Sequence, residues 1–288
     1  MKQRTPSIIN QEMPFFMSVP ALVWQVLLFY VPMALMVVLS FTSSSEQGNF
    51  FTLDQYATFA DPAYGAIILR SFFLACMSAF VCVLCAYPIA HYLTFTLTRW
   101  KTQMLFFLVL PFWISALVQV YAWFFVLEKH GLLNSLLLKL GVIREPLLIL
   151  NTPWAVFFVM VYCYLPFAIM PIYSTLEKFD KRLLEASADL GATPWQTFFR
   201  VTLPLSTPGI RTGFFLVFVP SFGEFVIPTL LGGSKQMYVG SLISHYYLTV
   251  RNFHLGSAFT CVSGVVLVVV SLLVYLIFKR LGGATRSQ

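Results

Sequence analysis

Residues 256–278 read Gly-Ser-Ala-Phe-Thr-Cys-Val-Ser-Gly-Val-Val-Leu-Val-Val-Val-Ser-Leu-Leu-Val-Tyr-Leu-Ile-Phe, 23 residues without one charged side chain. As an α-helix rising 1.5 Å per residue, this run extends about 34 Å, enough to cross the roughly 30 Å hydrocarbon core of a bilayer. A helix that is apolar all round has no face left for water, so its solvent is lipid or protein. The cations Lys279 and Arg280 begin immediately after it.

Five more runs follow the same rule, at 17–41, 66–97, 103–126, 154–176 and 209–231. The sequence therefore predicts an all-α integral membrane protein with about six transmembrane helices, in one transmembrane domain over residues 1–288. Composition agrees: 59% of the 288 residues are hydrophobic and 10% charged, against roughly 25% charged in soluble domains. The first run is too long for a signal-peptide core and no small-residue cleavage pattern follows it, so it is expected to stay as a span. Two shorter stretches are not expected to cross: Leu132, Leu133, Leu136, Leu137 and Leu140 recur at helical spacing, and residues 237–250 have the length of a re-entrant or interfacial helix.

The net charge of +7 does not point to nucleic acid, because the basic residues sit in short links between apolar runs and form no exposed basic face. They report orientation instead. Twelve of the eighteen fall in the N-terminal tail, the second link, the fourth link and the C-terminal tail, whereas the 42–65 link carries Glu46, Asp54 and Asp61 with no Lys or Arg. The positive-inside rule then puts both termini in the cytoplasm. The five cysteines lie inside apolar runs and read as small core residues, Cys82-x-x-Cys85 lacking a second ligand pair, and the four histidines have no ligand spacing. No metal site is expected.

The cytoplasmic link at about 177–208 carries a motif. Glu185-Ala186-Ser187-Ala188-Asp189-Leu190-Gly191-Ala192 is a short helix of good formers that Gly191 ends in the left-handed region, after which Thr193 and Pro194 supply the N-cap and first position of a second helix. The predicted product is a helix-turn-helix elbow whose mixed polar and apolar surface suits a groove in another protein. It resembles the EAA loop of permease subunits of bacterial ABC importers: Glu185, Gly191, Leu203 and Pro204 match, and Ser187 replaces the usual second Ala. The resemblance implies a type I ABC importer permease fold, with Glu185, Ala186, Asp189, Gly191 and Ala192 docking in an ATP-hydrolysing subunit. It also implies a second, related permease chain, two ATP-binding subunits that hold ATP and Mg, an extracytoplasmic substrate-binding protein, and a bacterial inner-membrane location. The chain has no G-x-x-x-x-G-K-[ST] loop, so hydrolysis is expected from another subunit; this one is not read as an enzyme, and binds no cofactor itself.

Glu224 is the only one of eleven acidic residues inside a predicted span. A carboxylate there costs at least about 2.5–3.5 kcal/mol unless a partner or a wet cavity compensates. Counted along the span it lies roughly 10 Å from the outer end and about 22 Å from the inner one. Pro220, Gly223 and Pro228 bracket it, and helix breaks of this kind line cavities. No basic residue lies in any span interior, which favours a cationic cargo, with a structural hydrogen-bonded acid as the alternative. Resemblance goes further: Pro111-Phe112-Trp113, Tyr121-Ala122-Trp123, the Tyr173–Asp180 run and Gly223-Glu224-Phe225-Val226-Ile227-Pro228 through Leu231-Gly232-Gly233 are similar to the spermidine/putrescine permeases. A path for polyamines combines carboxylates with aromatic faces that attract ammonium groups and cover methylenes, and Glu224, Trp113, Tyr121 and Trp123 are the candidates. Other ABC cargo, such as a metal ion or another small solute, and a self-sufficient channel or secondary transporter, stay open as alternatives.

Overall fold

A helix meant to pack in lipid needs a face of small residues, because the hydrophobic effect no longer drives association and close backbone approach must supply the contact. Ala75, Ala79, Cys82, Ala86 and Ala90 make such a face: all are fully buried, and their spacing of three and four puts them on one side of a helix.

The computed structural model describes residues 19–42, 51–97, 99–180, 182–233 and 236–283. The charges of Lys2, Arg4, Lys181, Lys235 and Arg286 and the acidic Glu46 lie outside the described residues. In chain order the α-helices are α1 (Val19–Ser40), α2 (Asp54–Ala57), α3 (Pro62–Phe95), α4 (Lys101–Val109), α5 (Ala116–Leu127), α6 (Leu132–Lys139), α7 (Pro153–Glu177), α8 (Arg182–Asp189), α9 (Pro194–Thr197), α10 (Leu203–Phe222), α11 (Val226–Leu231), α12 (Val239–Ser244) and α13 (Phe253–Gly283). No strand occurs among the described residues.

Four of these helices, α1, α3, α7 and α13, are each long and apolar enough to cross a membrane. The expected 103–126 span is instead a bent pair: Lys101–Trp113 and Ala116–Lys139 meet at 92°. Pro111 stands at the second position of the 3₁₀ turn Leu110–Trp113 that ends the first arm, and extended Ile114 and Ser115 carry the chain round. The expected 209–231 span begins earlier, at Leu203, and is cut between Phe222 and Val226, so that α10 and α11 share its apolar residues. The Leu132–Leu140 stripe is α6, and the stretch from residue 237 contains α12 and a π-helical turn, His245–Val250.

The chain divides into two compact units. The first comprises residues up to Asp61 with His245–Val262. Within it the Nδ1 of His254 lies 2.9 Å from Thr42 Oγ1, Tyr56 donates to Ser40 Oγ at 2.8 Å, and the rings of Phe59 and Phe259 meet at 5.3 Å. Side chains of α1 such as Trp24 and Phe29 are exposed, as a lipid-facing helix requires.

The second unit, Pro62–Ser244 with Ser263 onward, holds the main core. There α3, α7 and α10 pack pairwise, the small face of α3 with Ala168, Ile169 and Ile172 of α7 and Val217 and Phe218 of α10 in its interior. Thr152 caps α7 by accepting from Ala155 N at 3.3 Å, with Pro153 in the first position. A satellite cluster of Val120, Leu127, Val156, Val159, Met160, Ile227 and Leu231 ties α5 and α11 to α7, which fixes the two interrupted regions beside one helix.

Candidate functional site

Both interruptions line one cavity of about 810 Å³ within the second unit. One wall is the turn from Pro111 to Ala116, the other runs from Pro220 through Gly223–Ile227, and Cys163, Tyr164 and Phe167 of α7 complete it. The chain breaks here for local reasons. Proline removes a helical N–H and clashes with the preceding turn; Pro111 stands in the 3₁₀ turn that follows α4, and Pro220 in the last turn of α10, two residues before that helix ends at Phe222. Freed carbonyls need donors, and Gln119 supplies them: its Nε2 donates to Pro111 O and, at 3.3 Å, to Ile114 O.

At the second break Glu224 is half-buried and its two oxygens have different partners. Oε1 accepts from the backbone N–H of Val226 at 2.9 Å, which satisfies an otherwise unpaired donor at the start of α11. Oε2 accepts from the Tyr164 hydroxyl at 2.5 Å. An ionised carboxylate offers about four lone-pair sites, so two acceptor positions remain for a ligand. No Lys, Arg or His is among the described residues that line the cavity. The carboxylate is thus oriented by neutral donors and is not matched by a cation among the described residues.

The break is also buttressed from the link that follows α11. Gly240 of α12 lies against the exposed carbonyls of Gly223 and Glu224: a β-carbon at 240 would overlap the Gly223 oxygen and come within 2.5 Å of that of Glu224. The N–H of Val239 donates to Ser71 Oγ at 2.8 Å, which anchors α12 on α3. Only glycine leaves room for the two segments to meet.

Of the sequence candidates, Glu224 and Trp113 line the cavity. The Trp113 ring is 76% exposed and stands edge-on to Phe106 at 5.9 Å. Tyr121 and Trp123 are not among the lining residues. Trp123 packs on the satellite cluster, with Phe158 and Tyr162 edge-on at 5.1 and 5.0 Å, and Tyr121 is an exposed side chain of α5. Sequence reading missed Tyr164 and Gln119. An amide inside an otherwise apolar run was a usable signal for Gln119, whereas nothing distinguishes Tyr164 among thirteen tyrosines.

The elbow is built as its residues predict. The helix α8 ends in a Schellman arrangement: Gly191 has φ +77°, its N–H donates to Ala188 O at 2.9 Å, and Ala192 N–H donates to Ser187 O at 3.1 Å. Thr193 and Gln196 then form a reciprocal capping box with Pro194 at the first helical position. Ser187, the departure from the usual triplet, is buried and its hydroxyl lies 2.7 Å from that of Thr197, joining the two arms. Glu185, Ala186, Asp189 and Gly191 are exposed and Ala192 is partly covered. Beside them Leu190 is 88% and Trp195 72% exposed, an apolar surface in a segment otherwise rich in charge.

A membrane-embedded helical chain with two interrupted helices on one cavity and a protruding elbow is the architecture of a transport permease. The chain belongs to the family of binding-protein-dependent transport system inner membrane components, whose model matches residues 8–287. It is 38% identical over 260 residues to the spermidine/putrescine transport system permease protein PotB of Salmonella typhimurium strain SL1344, covering 89% of each chain. Against the protein of that name from Escherichia coli K12 the identity is 38% over 261 residues, covering 90% of this chain and 94% of the other. Among solved structures, a bacterial alginate ABC transporter in complex with a periplasmic protein bound to an alginate pentasaccharide has a chain that superposes with a TM-score of 0.75 at 18% identity, covering 97% of this chain and 99% of that one. The chain is therefore a multi-pass inner-membrane protein with the fold of an ABC importer permease.

Proposed function

We propose that this chain is the membrane-spanning permease of an ATP-driven importer of polyamines, and that its cargo passes Glu224. The observation that carries the reading is the half-buried carboxylate on an 810 Å³ cavity, held by Tyr164 and Val226 and without a cation among the described lining residues. An ammonium group fits the two free acceptor positions, and Trp113, Phe112 and Phe167 offer ring faces to methylenes between ammonium groups. The names of the relatives support the same cargo. Tyr121 and Trp123 are off the cavity here and would reach the path only in an arrangement where α5 has turned toward it.

The transport cycle we propose is alternating access, in one transmembrane domain that crosses the bilayer six times with both termini in the cytoplasm. The excess of Lys and Arg in the two tails, the second link and the fourth link, which holds the elbow, supports that orientation. The elbow around Glu185, Ala186, Asp189, Gly191 and Ala192 docks in a nucleotide-hydrolysing subunit, Leu190 and Trp195 being the apolar residues such a groove covers. A related permease, two ATP-binding subunits carrying ATP and Mg, and an extracytoplasmic binding protein complete the complex. Binding of ATP to the partner favours one arrangement of the permease pair, and the elbow transmits the shift.

Uptake by the reconstituted complex, measured with labelled spermidine against a panel of unlabelled cations, tests the reading. Competition by putrescine and spermidine, and none by divalent metal ions or neutral solutes, is expected. Competition by a metal ion or a neutral solute alone replaces the cargo, and uptake by the isolated chain without an ATPase replaces the class.

A further inference from the structure

A second groove of the same unit, about 580 Å³, lies between the N-terminal parts of α3 and α7 and is lined in an ordered way. At one end stands Arg70, eight residues into α3 and so about 12 Å from its start. Among the described residues its guanidinium makes no hydrogen bond or ion pair, although Tyr238 and Gln236 flank it. The Tyr238 hydroxyl donates to Gln236 Oε1 at 3.2 Å, which leaves the amide N–H groups of Gln236, itself a lining residue, as donors. From Arg70 the groove continues along Phe73 and Met77, a strip of about 10 Å on α3, with Phe157 of α7 on the other side. Trp154, in the first turn of α7 and 75% exposed, marks the level at which aromatic side chains meet the lipid headgroups.

A guanidinium near the end of an apolar helix is costly in lipid unless an anion compensates it, and none pairs with Arg70 among the described residues. We infer that the groove holds one phospholipid of the extracytoplasmic leaflet, its phosphate on Arg70 and Gln236 and one acyl chain along Phe73, Met77 and Phe157. Arginine matches phosphate through paired N–H donors, and the order of the lining, cation first and apolar strip inward, is the order of headgroup and chain in that leaflet. A carboxylate from another subunit would satisfy Arg70 but would not need the strip beyond it. The choice of leaflet rests on the orientation proposed above; the site itself is independent of the cargo.

The complex, extracted from its membrane in mild detergent and weighed intact by native mass spectrometry, tests the inference. Wild type should retain one phospholipid that Arg70→Gln loses, with Arg70→Lys retaining it in part. Equal retention by Arg70→Gln overturns the site. On delipidated wild type, dioleoylphosphatidylglycerol should restore the adduct, whereas dioleoylglycerol and inorganic phosphate should not. An equal adduct with dioleoylglycerol reduces the groove to an apolar surface, one with inorganic phosphate makes it a free-anion site, and either overturns the inference even if the variants fail to assemble. Cross-linking of Arg70→Cys to another protein chain also overturns it, and every one of these failures leaves polyamine uptake untouched.

Discussion

The hydroxyl of Tyr164 donates to the carboxylate of Glu224 at 2.5 Å, joining the middle of α7 to the break between α10 and α11 across 60 residues of sequence. This bond and the Val226 N–H fix the direction in which the acid presents its remaining lone pairs.

Glu224→Gln keeps the shape and removes the charge. Uptake at limiting polyamine is expected to fall at least about tenfold, the equivalent of roughly 1.4 kcal/mol, while the assembled complex purifies in normal yield. Undiminished uptake takes the residue off the path.

Tyr164→Phe removes only the orienting donor. A hydrogen bond to a charged group contributes about 1.5–3 kcal/mol, so the polyamine concentration for half-maximal uptake should rise at least several-fold with a smaller change in maximal rate. A fall confined to the maximal rate would point to a role outside cargo binding.

At Gly240 the smallest side chain already collides with the carbonyls of Gly223 and Glu224. We expect Gly240→Ala to lower both uptake and thermal stability of the complex, and Gly65→Ala, where a β-carbon meets nothing within 4 Å, to leave both unchanged. Equal behaviour of the two variants would contradict the buttress.

Gly191→Val places a β-branched residue at φ +77°, a conformation that costs an L-residue on the order of 1–2 kcal/mol. Co-purification of the ATPase subunits, or their stimulation by loaded binding protein, should drop several-fold. Leu190→Asp, which leaves the backbone alone, should do the same if the exposed leucine is covered by the partner.

Apolar length alone located α3 and α7 to within a few residues, because a span is set by composition over twenty positions and not by any one of them. The elbow was legible in more detail: Gly191, Thr193 and Pro194 act through their own backbone and take the roles their residue types predict. The break at Glu224 was legible from Pro220 and Gly223, but the 92° turn before Ala116 was not, since hydropathy over 103–126 averages out Pro111 and Gln119, the two residues on which the turn depends. That turn is why Trp113 lines the cavity and Trp123, ten residues on, sits in the satellite cluster. Which of two identical residues faces a path is decided by the direction of a helix axis, and hydropathy carries no such direction.

The carbonyls of Pro111 and Ile114 accept from the Gln119 amide and those of Gly223 and Glu224 pack against Gly240, while no continuous α-helix runs through either break. Rotation at those two joints sacrifices no helical ladder, since none runs through them. A change of angle between the arms on either side of the acid would therefore break no α-helical rung, only the Gln119 bonds and the packing on Gly240.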